Sequence, residues 1–502
     1  MNDTHSLKIV IVGGGTSGWM TACALSAFLP NNGYDIKLIE SDQIGTVGVG
    51  EATIPPIRDF NRLVGIDEAE FVMKTGATFK LGIEFHNWKV DGEYYFHPFG
   101  VYGKQIDSLP FHQYWLREKL NGGTIPLGDF SLCEVMARSK KFATPTDDPK
   151  SFLSTTGYAF HLDAGLYAKF LREKSEAKGV KRIEGKITEV TQRDSDGFIE
   201  SVSLESKEKI IGDLFIDCSG FRGLLIEETL KTGYENWSNF LPCDRALAIP
   251  TENFGKPRPY TMSIAHTAGW QWRIPLQHRT GNGHVYCSKY ISDDEATSTL
   301  LSNLEGEPLS EPRPLKFVTG KRKKFWNKNC IAIGLSAGFM EPLESTSIHL
   351  IQESISQLLK LLPGKEFDQA EINEFNKIND MHYELIRDFL ILHYYVNQRE
   401  ETFWKNCQNM EIPESLKQRI ALYKNRGRIY VEKDNLFKLD SWLAVMHGQG
   451  LTPKSYDPMT EKKDKEKVSD YMSRLRSAFI KETETMSTHD KFIKRYCKSS
   501  FV

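Results

Sequence analysis

Cysteine pairs at metal-knuckle spacing are missing from this chain. Its eight cysteines are scattered, and the nearest two, Cys218 and Cys243, lie too far apart for a CxxC. Such a pattern suggests neither a zinc site nor a disulfide framework, and it fits a reducing, cytoplasmic setting. Long apolar runs are missing too: stretches such as 389–392 and 442–446 fall far short of the roughly 20 residues that span a bilayer, so no membrane association is expected. The first six residues are mostly polar, without the apolar stretch of a signal peptide, and export is not expected. No charge dominates. Sixty-four Lys plus Arg against 66 Asp plus Glu leave −2, so no overall field recruits nucleic acid. His349 and His393 stand in helical patterns without HExxH or a carboxylate at ligand spacing, and no metal is expected.

What is present is the balance of a folded protein with a large core: 502 residues, 40% apolar and 26% charged. Leu7–Val12 is a short β-branched run that enters Gly13-Gly14-Gly15-Thr16-Ser17-Gly18 and then a helical stretch through residue 27. Tyr34–Glu40 is the next strand candidate, completing a β-α-β pattern. Residues 45–88 suggest loops, a helix and another strand. Residues 186–217 read as a meander turning at Asp196-Gly197 and ending in a buried strand. A short apolar strand at 330–333 leads through Gly334 and Pro342 into a helix from about Ser345, with Ile348, Ile351, Ile355, Leu358 and Leu362 on one face. A second long helical pattern covers 366–395, and the chain beyond it is helix-rich. The charge run at 461–467 and the basic run at 321–324 both read as solvated faces.

Gly13-x-Gly15-x-x-Gly18 stands between strand and helix, with Glu40 22 residues beyond Gly18. The glycines permit a tight turn and close approach of a pyrophosphate to the helix N-terminus, where amides and dipole favour an anion. The Glu40 carboxylate suits an adenosine ribose. The motif predicts a bound dinucleotide without separating FAD from NAD. Two later strand-to-glycine junctions, at 213–220 and 330–334, favour FAD, because they resemble the interrupted flavin-binding fold of aromatic-hydroxylase-type monooxygenases. No second GxGxxG offers a site for NAD(P)H, so either reduced flavin is made elsewhere or nicotinamide binds without a fingerprint. The expected fold is α/β: an FAD-binding three-layer Rossmann-type module of the aromatic-hydroxylase type, with insertions, over 1–365, and a helix-rich part over 366–502.

Trp270-x-Trp272-x-Ile274-Pro275 is the most specific signal. Two tryptophans two apart on an extended segment share a face, and alone they read as core packing. Combined with Gly50-Glu51-Ala52-Thr53-Ile54-Pro55 and Glu341-Pro342-Leu343-Glu344-Ser345-Thr346, the motif resembles the flavin-dependent halogenases of the tryptophan halogenase family. Phe79-Lys80, Phe96-His97-Pro98-Phe99-Gly100, Asp217-Cys218-Ser219-Gly220 and Thr402-Phe403-Trp404 extend the resemblance to about residue 405. It implies FAD, held by Gly13, Gly15, Thr16, Ser17, Gly18, Glu40, Ala52 and Leu335, and used as FADH2 from a separate NAD(P)H-dependent flavin reductase. It implies halide as co-substrate at the amides of Thr346 and Ser347, where the family commonly has glycine in place of Ser347. Lys80 matches the family's essential lysine, which captures hypohalous acid as an electrophilic halogen donor, and Glu344 its second catalytic residue, which removes the arene proton. His97 and Phe99 match positions that sandwich a small aromatic substrate. A homodimer is compatible with the resemblance.

The paired-tyrosine and glutamate segment that holds free tryptophan in specific relatives is shortened here. Residues 427–448 contain only Tyr430, Glu432 and Trp442 of that kind, which points to an indole-like or other electron-rich aromatic. Two alternatives share the cofactor fold: an FAD-dependent aromatic monooxygenase and a non-catalytic flavin-fold escort protein. Gly334-x-Ser336-x-Gly338 formally matches a hydrolase elbow, but Pro342 follows before any helical pattern begins.

Overall fold

The computed structural model describes residues 6–30, 33–43 and 50–501, so positions 45–49 of the stretch expected to form loops, a helix and a strand lie outside it. By contacts the chain divides into two compact units, each built from three separated stretches. One comprises Met1–Ala77, Leu162–Ser238 and Lys316–Glu384; the other comprises Thr78–His161, Asn239–Leu315 and Leu385–Val502.

The first unit is built on a six-stranded sheet in the order Trp326–Asn327, Cys330–Ala332, Leu214–Asp217, Leu7–Val12, Tyr34–Glu40, Lys181–Glu184. All neighbours are parallel except the first pair. Burial explains the composition: Ile9, Val10, Ile11, Leu214, Phe215, Ile216, Ile331 and Ala332 are fully buried, as central parallel strands require. Three strands far apart in sequence are therefore adjacent in space. The Thr16–Phe28 helix, buried from Gly18 through Ser26, packs against the Ala164–Glu176 and Ser347–Lys360 helices. The meander is present as antiparallel Ile187–Gln192, Ile199–Leu204 and Lys209–Ile211.

One expectation is corrected in this unit. The basic run is not a solvated face: Lys321 and Arg322 are buried. Lys321 Nζ donates to Asp380 at 2.6 Å and faces Glu235 at 3.1 Å, while Arg322 donates to Glu227 at 2.8 Å and to the Ser336 carbonyl at 2.9 Å. Buried cations require partners of this kind, and only Lys323 and Lys324 are exposed.

The second unit contains a seven-stranded sheet in which Arg245–Thr251, Thr280–Tyr286, Gly269–Pro275, Thr261–His266, Gly82–His86 and Tyr94–Pro98 run side by side. Thr261–His266 and Gly82–His86 are parallel, and the other pairs are antiparallel. The short strand Thr78–Lys80 pairs antiparallel with Ala159–Asp163, setting Thr78 opposite His161 and Lys80 opposite Ala159. The C-terminal part is helical, including Thr402–Gln408, Glu414–Arg426, Leu439–Gly448 and Lys465–Thr485. Among the described residues, no helix is long and apolar enough to cross a membrane. All eight cysteines are buried, and none is in a disulfide.

Candidate active site

In the first unit three neighbouring parallel strands are each followed closely by a glycine with positive φ: Gly13 (113°), Gly220 (75°) and Gly334 (81°). That is a region of backbone space from which side chains are nearly excluded. A Cβ on Gly13 would stand 2.2 Å from the Cys218 carbonyl oxygen, and one on Gly18 1.9 Å from the Gly13 oxygen. A Cβ on Gly14 would collide with the Glu40 carboxylate. These glycines let the turn, the helix and the neighbouring strand close on one another. Gly15 differs: a Cβ there meets no protein atom within 4 Å. The turn thus has open space in front of the helix start, where a pyrophosphate would rest, and the residues present fit a dinucleotide. Thr16 and Ser17 are partly exposed beside it, and Leu335 is half-buried in the turn after Cys330–Ala332. Ala52 is buried at the end of Gly50–Ala52. Glu40 accepts from Trp19 Nε1 at 3.2 Å and is paired with Arg182 and, at 3.5 Å, Arg172.

The same unit carries the Glu344 segment. Pro342–Glu344 forms a 3-10 turn, Ser345 adopts φ 60°, and the helix then runs Ser347–Lys360 with Thr346 as its N-cap. The helix begins two residues later than the sequence suggests, and Glu344, fully buried, is not its cap. A non-glycine residue in the left-handed region stores strain, here between Glu344 and Thr346. No side chain caps the helix, and the buried Thr346 hydroxyl has no hydrogen-bond partner among the described residues. The first-turn amides of a helix lack intrahelical acceptors, which makes this an anion site in outline. Ser336 is no nucleophile: it is fully buried, and its hydroxyl donates to the backbone carbonyls of Asp217 and Ile333.

In the second unit Lys80 is fully buried, with Nζ 5.0 Å from the centroid of the Phe99 ring. Phe99 meets His97 edge-on at 6.4 Å, and His97 in turn meets Phe389 at 5.8 Å and Phe437 at 6.2 Å. Phe389 stacks on Phe437 at 3.8 Å and meets Trp442 edge-on at 4.9 Å. Lys80, His97 and Phe99 are thus brought together. Phe389, Phe437 and Trp442 join them from distant helices and loops, with no local pattern that announces it.

Trp270 and Trp272 are both buried, their rings 6.1 Å apart on one face of Gly269–Pro275, and Ile274 is buried beyond them. Trp270 lies 6.2 Å from Trp88, which packs on Trp404 at 5.3 Å. Trp272 occupies space left by Gly283 on the adjacent strand, where a Cβ would stand 2.0 Å from the indole. Its Nε1 is buried without an acceptor among the described residues. At the motif's end the Pro275 carbonyl accepts from Thr78 Oγ1 at 2.6 Å. In the late segment Glu432 is engaged by Arg419 at 2.8 and 2.9 Å, Arg419 stacks on Trp442 at 4.3 Å, and Tyr430 is 67% exposed.

Parallel strands leading to glycines of positive φ around an open pyrophosphate position define a dinucleotide-binding protein of Rossmann-like architecture. The chain belongs to the tryptophan halogenase family, whose profile matches residues 8–465. It is 34% identical over 492 residues to the tryptophan 6-halogenase ThaL of Streptomyces albogriseolus, covering 90% of this chain and 91% of that one. It is 33% identical over 488 residues to the tryptophan 7-halogenase RebH of Lentzea aerocolonigenes, covering 90% and 91%. The structure of Xcc4156, a flavin-dependent halogenase from Xanthomonas campestris, matches with a TM-score of 0.95 at 44% identity over 98% of this chain and 99% of that one. The protein is therefore an enzyme, a flavin-dependent halogenase of a family that uses FAD and halide.

Proposed function

We propose that this enzyme halogenates an indole-like or other electron-rich aromatic through Lys80, using halide, oxygen and FADH2 delivered by a separate NAD(P)H-dependent reductase. The observation that carries the reading is the fully buried Lys80 facing Phe99 beside His97. A lysine with no solvent exposure at the rim of an aromatic cluster is not the ordinary surface lysine. Gly13, Gly15, Thr16, Ser17, Gly18, Glu40, Ala52 and Leu335 would hold the cofactor, which when bound in its reduced form would activate oxygen as the two-electron oxidant that turns halide into hypohalous acid. The amides of Thr346 and Ser347 hold the halide. Lys80 Nζ takes the halogen from hypohalous acid, whose hydroxide leaves as water with one amine proton, and passes it to the ring, while Glu344 stabilises the developing cation and accepts the displaced ring proton. Trp270, Trp272, Ile274 and Pro275 wall this chemistry off from hydroxylation.

The test is Lys80→Ala supplied with a flavin reductase, NADH, oxygen and bromide, with mass spectrometry of an indole and phenol panel. The variant should bind FAD, consume oxygen and release peroxide or hypobromite, yet form no halogenated arene. Halogenation at the wild-type rate refutes the transfer role.

A further inference from the structure

The strand that carries Lys80 is only three residues long, Thr78–Lys80. Its outer face is set by Phe79, stacked on Phe142 at 4.3 Å, and by the Phe79 amide, which donates to His489 Nε2 at 3.1 Å. Its inner face carries Thr78 and Lys80, two apart and therefore on one side. Thr78 Oγ1 contacts two groups at once: it donates to the Pro275 carbonyl at 2.6 Å and lies 2.9 Å from His161 Nδ1. His161 Nε2 lies 3.0 Å from Thr261 Oγ1. A hydroxyl has a single proton. Because the Thr78 proton is committed to Pro275, its oxygen must accept from His161, which fixes the proton on Nδ1. The bare Nε2 then accepts from Thr261.

The result is a one-directional chain: Thr261 O–H to His161 Nε2, His161 Nδ1–H to Thr78 Oγ1, Thr78 O–H to the Pro275 carbonyl. His161 is fully buried. Burial above all, with the Lys80 charge second and that of His489 third, holds its imidazole well below the usual histidine range. A neutral ring therefore stands diagonally across the ladder from Lys80, since Thr78 pairs with His161 and Lys80 with Ala159.

We infer that Thr78, His161 and Thr261 are positioning residues for Lys80, and that the Pro275 end of the tryptophan motif is the anchor against which the lysine strand is registered. The inference rests on the reading of Lys80 as halogen carrier. It gives the motif a second task, distinct from the exclusion of hydroxylation: fixing where the halogen is delivered. A proline suits the anchor because its ring locks φ and so removes one of the two soft backbone dihedrals at that position.

The test compares Thr78→Val, which keeps the shape and removes the hydroxyl, with Thr78→Ser, which keeps the hydroxyl. The readouts are halogenated arene formed and free hypobromite trapped per oxygen consumed. Thr78→Val should consume oxygen at the wild-type rate, lose roughly 10- to 100-fold in arene halogenation and spill the difference as free hypobromite. Thr78→Ser should restore coupling. Independently of turnover, nitrogen NMR of ¹⁵N-histidine-labelled protein, assigned with His161→Gln, should show the Nδ1–H tautomer at His161. Tight coupling in Thr78→Val, or an Nε2–H tautomer, overturns the inference. Should Thr78→Val fail to fold, His161→Gln replaces it with the same expected spillage. If Lys80→Ala retains halogenation, the carrier reading falls and takes this inference with it. If Lys80→Ala is inactive while Thr78→Val stays coupled, the positioning role alone is lost.

Discussion

Lys80 and Phe99 face one another across 5.0 Å, measured from the ammonium nitrogen to the ring centroid. A cation at that range over an aromatic face gains about 0.5–2 kcal/mol, more when desolvated, so the ring helps hold the long side chain in place. Replacing Phe99 with Leu should raise KM for an indole and increase uncoupled hypobromite, with FAD affinity unchanged. Steady-state halogenation alongside flavin titration checks this.

Gly15 and Gly18 belong to one motif but should fail differently. Gly15→Val adds atoms only to open space, so the protein should fold with near wild-type Tm and lose FAD binding. Gly18→Val forces a Cβ to 1.9 Å from the Gly13 oxygen and should cost about 3 kcal/mol or more in stability. Thermal melts and flavin titrations of the two variants separate these outcomes. A folded Gly15→Val protein with unchanged flavin affinity contradicts the cofactor assignment.

Halide preference should lean to bromide. Bromide is easier to oxidise and less strongly hydrated than chloride, and Ser347 places a side chain where the family commonly has none. Equimolar competition should yield brominated product at least equal to chlorinated, and Ser347→Gly should move the ratio towards chloride. Mainly chlorinated product from the wild type counts against the prediction.

Indole should be preferred to free tryptophan. The ammonium and carboxylate of an amino acid are costly to bury unpaired, and Glu432 is already committed to Arg419. Specificity constants for the two substrates under saturating bromide give the answer. A clear preference for tryptophan would mean that other residues supply the clamp.

Acid should loosen the lysine strand from its outer face. Burial holds the His489 imidazole down to about 4, against partial opposition from the Pro257 carbonyl and Asp490. A histidine depressed in the folded state contributes stability that is whole above its unfolded value near 6.5 and is lost as pH falls from there through about 4. The loss amounts to about 3 kcal/mol across that window. His489→Gln keeps an acceptor for the Phe79 amide and a donor for Pro257 without titrating. Its denaturation free energy should therefore fall less steeply than the wild type's between pH 6.5 and 4.

The nucleotide half was legible because its determinants are local: glycines at fixed offsets, a strand before them and an acid after them. The return of Leu214–Asp217 and Cys330–Ala332 beside Leu7–Val12 was legible through resemblance to an interrupted flavin-binding fold, carried by the glycine that follows each strand. Lys80 and Glu344 emerged only through resemblance, because a lysine on a three-residue strand has no periodicity to mark it. His161, Phe389 and Phe437 carried no signal at all; tertiary folding alone brings them to Lys80 and His97. The basic run was misread because Asp380, Glu235 and Glu227, which neutralise its first two members, lie far along the chain.

Trp272 fits only because the neighbouring strand leaves a hole at Gly283. The tryptophan motif is therefore a two-strand device written in two places, and a six-residue graft into an ordinary flavin hydroxylase would arrive without its socket. A substitution on either strand therefore calls for a matching change on the other. A lone tryptophan there meets a Cβ, and a lone glycine leaves a void where an indole should be.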